Sequence, residues 1–209
     1  MLSTRDFKRI VREIDSVRGV DVVEFLERTS PWFRFFEPAL QRASEALKAL
    51  NLFHVLYGLR PLPIYGVPYI SREITFAIKL ENLNEVLEEL EGRGFRRVPS
   101  SRERLGLLDL QTNRRIELMP APEPLEWDDD LIERSLERKG LRFLSAEDYA
   151  VALIGGNVST MKLELAAKTL YANLDSLDLS YLEDRAERLS VKEVVDKLLE
   201  GLREASSRR

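Results

Sequence analysis

The stretch from Arg72 to Leu80 changes the period of the sequence, and it constrains the fold more than any other feature of the chain. Apolar and polar or small residues alternate here, which is the pattern of a β-strand with two different faces. One predicted face carries Ile74, Phe76, Ile78 and Leu80, and the other carries Glu73, Thr75, Ala77 and Lys79. Because most of the remaining chain has helical spacing, we expect a small sheet in its middle third.

Helix starts are marked by pairs with capping-box spacing, in which a side chain at the first position caps the backbone three residues later. These pairs are Asn82 with Glu85, Asp130 with Glu133, Ser145 with Asp148, Ser180 with Glu183, and Ser190 with Glu193. Ser30 before Pro31 predicts a further helix from Pro31 to about Leu50. An apolar stripe from Phe7 to Val17 predicts a helix near the start of the sequence.

The middle of the chain contains the other strand patterns. Phe53–Tyr57 is a short apolar run, and Phe95–Val98 is predicted to be an edge strand. Residues 107–111 and 114–119 flank Thr112-Asn113, which predicts a hairpin. A helix is expected from Leu83 to Leu90, ending at the glycines that follow.

The proline-rich segment of residues 120–124 is typical of a linker, and everything after it is predicted to be helical with a frayed tail over residues 204–209. We therefore predict an α+β fold: a small mixed sheet with flanking helices and a C-terminal helical domain. Its expected divisions are N-terminal helices packing on the core (1–50), an α/β core (51–124) and a helical domain (125–209).

Composition limits the chemistry. The chain has 209 residues, no cysteine and a single histidine, so thiolate sites, disulfides and histidine-rich metal sites are excluded. A metal would need oxygen ligands, which favours Mg²⁺ or Mn²⁺. The net charge of −4 means that nucleic-acid binding would need a local basic patch. The high charge and the two glutamines are typical of a thermophile, and no membrane segment or leader is expected, so we predict a cytoplasmic protein.

Two glutamates and a group of arginines are the candidates for function. Glu73 and Glu117 lie on predicted strands and would face the same side if the strands were neighbours, an arrangement that metal-dependent phosphoryl transfer uses. On the pattern alone, solvated glutamates on a strand are the interpretation that the residues favour, because such glutamates are common. The basic cluster could bind RNA or a triphosphate, or could be ordinary surface charge; it comprises Arg93, Arg96, Arg97, Arg102, Arg104, Arg114 and Arg115.

Residues 53–119 resemble the nucleotidyltransferase superfamily, especially small enzymes related to abortive-infection toxins and minimal nucleotidyltransferases. The segment Tyr65-Gly66-Val67-Pro68 matches the family directly, and Glu73-Ile74-Thr75 stands where the family has Asp-Ile-Asp. LNEVLEELEGRGF and LDLQTNRRIEL match the following helix and hairpin. LSAEDYAVAL and DLSYLEDRAERL extend the resemblance to about residue 190.

The resemblance implies transfer of NMP from an NTP with Mg²⁺ or Mn²⁺. The implied catalytic positions are Glu73, Thr75 and Glu117, with Glu73 and Glu117 as metal ligands. The implied nucleotide-binding positions are Tyr57, Gly58, Arg60 and Ser71.

The chain departs from the family at several of these positions. Thr75 removes one carboxylate, Tyr57 replaces a glycine of the phosphate-binding loop, and Pro61 and Pro63 each remove an N–H donor. Two hypotheses remain: a divergent enzyme with a weakened metal site, or a non-catalytic module that binds RNA or a protein partner. A shared metal needs the two carboxylates within about 5 Å of each other. Salt bridges from arginine to them would argue against catalysis.

Overall fold

A five-stranded mixed sheet lies at the centre of the molecule. The computed structural model describes residues 1–79, 83–101, 104–156 and 159–207. The sheet has the order β1-β2-β5-β4-β3, and the strands are β1 (His54–Tyr57), β2 (Thr75–Ile78), β3 (Phe95–Val98), β4 (Leu105–Asp109) and β5 (Arg114–Met119). Strands β2 and β5 are parallel, and the other neighbours are antiparallel. The α+β class, the hairpin around Thr112-Asn113 and the edge position of β3 are confirmed.

The register of the sheet aligns one residue from every strand in a single row. Tyr57 pairs with Thr75, and Thr75 pairs with Glu117. Glu117 pairs in turn with Gly106, and Gly106 with Val98. Because directly paired residues project to the same face of a sheet, Tyr57, Thr75 and Glu117 lie side by side.

The strand predicted from Arg72 to Leu80 is shorter than its sequence pattern. Pairing begins at Thr75, so Glu73 precedes β2, and Leu80 lies outside the described residues. All four residues of β2 are buried, including Thr75 and Ala77 on the face predicted to be polar. The alternation correctly separated the two faces, but it could not show that other elements cover both of them.

Three helices precede the sheet: α1 (Thr4–Asp15), α2 (Val22–Thr29) and α3 (Pro38–Ala49). The predicted helix start at Ser30-Pro31 is wrong, since Ser30 ends α2 and α3 begins at Pro38. The intervening backbone is held by side chains instead. The Phe35 N–H donates to the Glu27 carboxylate at 2.7 Å, and a buried arginine donates to the carbonyls of Arg34 and Phe35.

The remaining described elements are α4 (Leu83–Gly92), α5 (Asp129–Glu133), β6 (Leu136–Arg138), β7 (Leu141–Phe143), α6 (Ala146–Gly155), α7 (Thr160–Ala172), α8 (Leu179–Arg188) and α9 (Lys192–Ser207). The prediction that everything after the linker is helical is wrong, because β6 and β7 form an antiparallel hairpin. Its turn is Lys139-Gly140, and both residues have positive φ, as a two-residue hairpin turn requires.

The predicted helix caps had mixed outcomes. Ser145 caps α6 by accepting the Asp148 N–H at 3.1 Å, as predicted. The N-caps of α5 and α8 are Asp128 and Asp178, two residues before the predicted caps, and their carboxylates accept backbone N–H groups. Ser190 adopts a positive φ and caps nothing. The Asn82 prediction lies outside the described residues. The tail is helical to Ser207 rather than frayed.

The two ends of the described chain pack together. Helix α1 lies against α7 and α9, and a Cβ added at Gly201 would overlap the Phe7 ring. One continuous core joins these helices to the sheet. The divisions at residues 50 and 124 stay a prediction. Within the described ranges, no helix has the length and apolar character needed to cross a membrane.

Candidate functional site

The row of paired residues opens onto two adjoining cavities. A cavity of about 290 Å³ is lined by Glu73, Thr75 and Glu117 together with arginines. A larger one of about 640 Å³ separates the sheet from the start of α7 and the end of α6. Glu73, Thr75 and Arg104 line both cavities, so the two form one cleft. The larger part lies within the size range of small-molecule sites in proteins, about 300–1,000 Å³.

Glu73 and Thr75 differ in what their side chains offer. Glu73 is exposed, and its carboxylate makes no hydrogen bond or ion pair with any residue that the structure describes. Its backbone N–H donates to the Ser71 hydroxyl at 3.2 Å, so Ser71 shapes the approach to β2. Thr75 is 6% exposed and contributes a neutral hydroxyl. The pair therefore supplies one available negative charge.

Glu117 is already bound by cations. Arg104 donates to one carboxylate oxygen at 3.0 Å, and Arg115 donates to the other at 3.0 Å. The Ser100 hydroxyl lies 3.5 Å from the second oxygen. Burial opposes ionisation of Glu117, but the hydrogen bonds from Arg104 and Arg115 outweigh it and hold the pKa of this carboxyl below its ordinary value. Glu117 is thus an ionised carboxylate with both oxygens paired.

A divalent metal does not fit this set of donors. A two-ion site needs carboxylates that converge on the metals, with no competing cation between them. Here the Glu117 carboxylate is paired with two guanidinium groups, and Thr75 supplies a hydroxyl where a third carboxylate would be needed. Among the residues that the structure describes, no group of three histidine, cysteine, aspartate or glutamate side chains could hold a metal ion. The roles of Glu73 and Glu117 as metal ligands stay a prediction, and the pairing of Glu117 with two arginines disfavours it.

Tyr57 and Gly58 form the wall of the larger cavity. The Tyr57 hydroxyl donates to the Glu123 carbonyl at 2.5 Å, and burial together with the charge of Glu123 raises the pKa of this phenol. Gly58 has a φ of +77°, a conformation that favours glycine. Its carbonyl accepts the Tyr149 hydroxyl at 2.7 Å. Both residues are therefore fixed by the C-terminal part of the chain.

Arg60 does not line the cleft, so its predicted contact with phosphate stays a prediction that this geometry disfavours. It is 1% exposed, and it donates to the carbonyls of Arg34, Phe35 and Ser71 at 2.6, 2.7 and 3.3 Å. Glu37 lies 3.1 Å away as its charge partner. Burial lowers the pKa of Arg60 to about 10, so the group stays cationic at neutral pH. Its guanidinium holds the segment before α3 in place.

Two cationic residues of the cleft were not assigned to it from the sequence. Arg104 was grouped with the basic cluster, but its pairing with Glu117 joins the residue before β4 to β5, which sequence spacing does not show. Lys162 lines the larger cavity from the first turn of α7, whose N-terminus is capped by Ser159. The pairing of Arg115 with Glu117 did have a sequence signal, because residues two apart on a strand share a face.

The chain was compared with known families, curated proteins and solved structures. No protein-family model matches the chain, and no curated protein matches it. The fold is similar to the solution structure of the antibiotic-resistance factor ANT(2'')-Ia, with 14% sequence identity and a TM-score of 0.47. The alignment covers 82% of this chain and 97% of that one. The function of this chain must therefore be inferred from the residues of its own cleft.

Proposed function

We propose that this protein is a nucleotidyltransferase-like module that has lost metal-dependent transfer and acts by binding. The single observation that carries the proposal is the pairing of Glu117 with Arg104 and Arg115. The other support is the sequence resemblance over residues 53–119 and the row that joins Tyr57, Thr75 and Glu117. The alternative, a weakened but active enzyme using NTP and Mg²⁺ or Mn²⁺, draws its support from the available carboxylate of Glu73.

The charges of the cleft oppose a metal ion. To bind one, Glu117 would have to give up charge-assisted hydrogen bonds, each of which contributes about 1.5–3 kcal/mol when well formed. These guanidinium groups are 42% and 51% exposed, so solvent reduces that figure. The two displaced guanidinium groups would then repel the metal. Since Thr75 supplies no charge, the gain from binding is also smaller than in a site with three carboxylates.

The first experiment is a label-transfer assay. The purified chain is incubated with each α-labelled NTP, Mg²⁺ or Mn²⁺, and RNA or protein acceptors. We expect no label on any acceptor or on the protein itself. Transfer that requires the metal and disappears in Glu73→Gln would overturn the proposal and establish the enzyme alternative.

A second experiment rebuilds the missing metal site. The triple variant Thr75→Asp, Arg104→Ala, Arg115→Ala has carboxylates at positions 73, 75 and 117 and no guanidinium on Glu117. We expect it to bind Mn²⁺ at least tenfold more tightly than the unaltered chain, as measured by electron paramagnetic resonance. The matched control carries Asn at position 75, which has the shape of Asp without its charge. Equal Mn²⁺ binding by the unaltered chain and the triple variant would show that the arginines do not block the site.

A further inference from the structure

Trp32 is an exposed aromatic side chain with a cation stacked on it. It is 59% exposed, and the Arg72 guanidinium carbon lies 4.8 Å from the centre of its ring. Its ring contacts the buried Phe33 edge to face at 6.3 Å, so the base of the indole is anchored to the core. No hydrogen bond of its indole N–H occurs with the part of the chain that the structure describes. Trp32 thus presents a fixed flat surface to solvent.

The other tryptophan provides an internal contrast. Trp127 is half-buried, its N–H donates to the Pro120 carbonyl at 2.6 Å, and its ring packs against Phe53 at 5.5 Å. Its contacts are accounted for by the fold. Trp32 and Arg72 are not needed in the same way, because no other described hydrogen bond or ion pair uses either side chain.

The surface next to Trp32 is strongly basic for a chain of negative net charge. A cavity of about 170 Å³ beside Trp32 shares Arg72 and Arg114 with the 290 Å³ cavity of the cleft. Together the two cavities are lined by three glutamates and by six arginines: Arg34, Arg60, Arg72, Arg104, Arg114 and Arg115. The lining therefore has an excess of positive charge, whereas the chain as a whole has a net charge of −4. Such an excess favours an anionic ligand.

Unpaired donors lie at the same place. The Nε atoms of Arg60 and Arg114 are buried and have no hydrogen-bond acceptor among the described residues, and both residues line the 170 Å³ cavity. Buried polar atoms are normally paired, with protein, water or ligand. Because these atoms have almost no solvent-accessible surface, a ligand in the cavity does not reach them; they add buried positive charge beside it.

We infer that the Trp32 surface, defined by Trp32, Arg72, Arg114, Arg115 and Arg104, binds single-stranded nucleic acid. An unpaired base stacks on the exposed indole, and the phosphates follow the arginines toward the cleft. Exposed aromatic rings interleaved with basic side chains are how proteins hold single strands, because every base has a flat face and every linkage has a charge. This inference adds a nucleic-acid partner to the proposed module. Its experiment measures binding of the oligonucleotide, whereas the first experiment on the proposed function measures label transfer. The inference and the proposed function can therefore fail independently.

The test is fluorescence anisotropy with a labelled twelve-nucleotide oligouridylate on the full chain, a strand long enough to pass Trp32 and the four arginines of the surface. We expect Trp32→Ala to weaken binding by about 5- to 160-fold, the range that stacking of one base contributes. The slope of log affinity against log salt should not change in this variant. Arg72→Ala should weaken binding and also reduce that slope by about 0.7, the value for one lost phosphate contact.

Matched controls separate the Trp32 surface from general effects. Trp127→Phe and Leu110→Ala test the other tryptophan and another exposed apolar side chain, and Arg203→Ala removes an exposed arginine on α9. All three should bind the strand as the unaltered chain does. In Trp127→Phe, Trp32 is the only tryptophan left, so binding of the oligonucleotide should quench the tryptophan fluorescence of this variant. A Trp32→Tyr variant should recover most of the affinity.

Three competitors decide the nature of the ligand. The same sequence as deoxyribonucleotide tests the sugar, and a duplex of equal length should compete at least tenfold less well because its bases are already stacked. Inorganic polyphosphate should compete weakly and without dependence on Trp32. Strand binding that is unchanged in Trp32→Ala, or equal competition by polyphosphate, would overturn the inference and leave a general anion site.

Discussion

Two clusters of carboxylate and arginine in this molecule use the same chemistry at different depths. In the helical part, Asp148 on α6 is fully buried and accepts from Arg185 on α8 at 2.6 Å. Arg185 also pairs with Asp128 at the start of α5, and the Tyr181 hydroxyl donates to Asp148 at 2.9 Å. In the cleft, the Glu117 side chain is 24% exposed and its arginines are 42% and 51% exposed.

Depth decides what each cluster can do. A buried carboxylate that loses its partner is left with an uncompensated charge, so the Asp148 cluster holds α5, α6 and α8 together. An exposed pair contributes about 0–1 kcal/mol to stability, because solvent screens it. The Glu117 cluster can therefore exchange partners at little cost to the fold. Its arginines keep other donors with which to meet a ligand.

Breaking the buried cluster should give the largest effect. Arg185→Met removes the partner of Asp148 while keeping a side chain of similar length. We expect the free energy of unfolding to fall by about 3–5 kcal/mol, the cost of an unpaired buried charge, as measured by urea denaturation. The control on the same helix is Arg188→Met, which removes an arginine that is 51% exposed and should cost less than about 1 kcal/mol. Equal losses in the two variants would contradict the comparison.

Substitution of Gly106, which pairs with Glu117 in the sheet, should destabilise the fold more than substitution of Glu117 itself. A Cβ at Gly106 would meet the Val98 carbonyl at 2.9 Å and the Pro99 carbonyl at 3.2 Å, and Pro99 is the acceptor of an Arg115 hydrogen bond. Gly106→Ala should therefore destabilise by about 1–3 kcal/mol, the usual cost of overpacking. Gly92→Ala, where a Cβ meets nothing, is the matched control and should not destabilise. A comparison of the thermal unfolding of the two variants tests this expected difference in stability.

The smallest effect is expected at Glu117, and it should depend on pH. Because the folded pKa is lowered, the ionised carboxylate stabilises the fold above the unfolded value of about 4.3 and stops doing so as the pH falls through the folded value. Glu117→Gln should cost at most about 1 kcal/mol at pH 7. The difference from the unaltered chain should shrink as urea denaturation is repeated from pH 7 toward pH 3. A difference that grew in acid would mean that the arginine pairing is not its cause.

Sequence reasoning worked where local chemistry determines structure. The hairpin at Thr112-Asn113 forms because Asn113 tolerates the positive φ of its turn, and Ser145 caps α6 because its hydroxyl reaches the Asp148 N–H. The same reasoning predicted that Glu73 and Glu117 would face one side if their strands were neighbours. The parallel pairing of β2 and β5 satisfies that condition, although it is Thr75 that pairs directly with Glu117.

Sequence reasoning failed where contacts with distant parts of the chain determine the structure of a segment. The segment after Ser30 has a good helix-start pattern, but the buried guanidinium of Arg60 and the Glu27 carboxylate take its backbone groups. No local pattern shows that competition. Arg60 was assigned to the cleft for its position in a motif, and its burial depends on aromatic residues more than twenty positions earlier. The pairing of Arg104 with Glu117 was missed for the same reason.

The contact between Phe7 and Gly201 joins two helices that are synthesised at different times. The helix that carries Phe7 is made long before the helix that receives it. The apolar face of α1, with Ile10 and Ile14, is therefore fully covered only after both α7 and α9 have been made. Chaperones that bind nascent apolar segments can bind this face during that interval. A bulky side chain at position 201 would prolong that exposure.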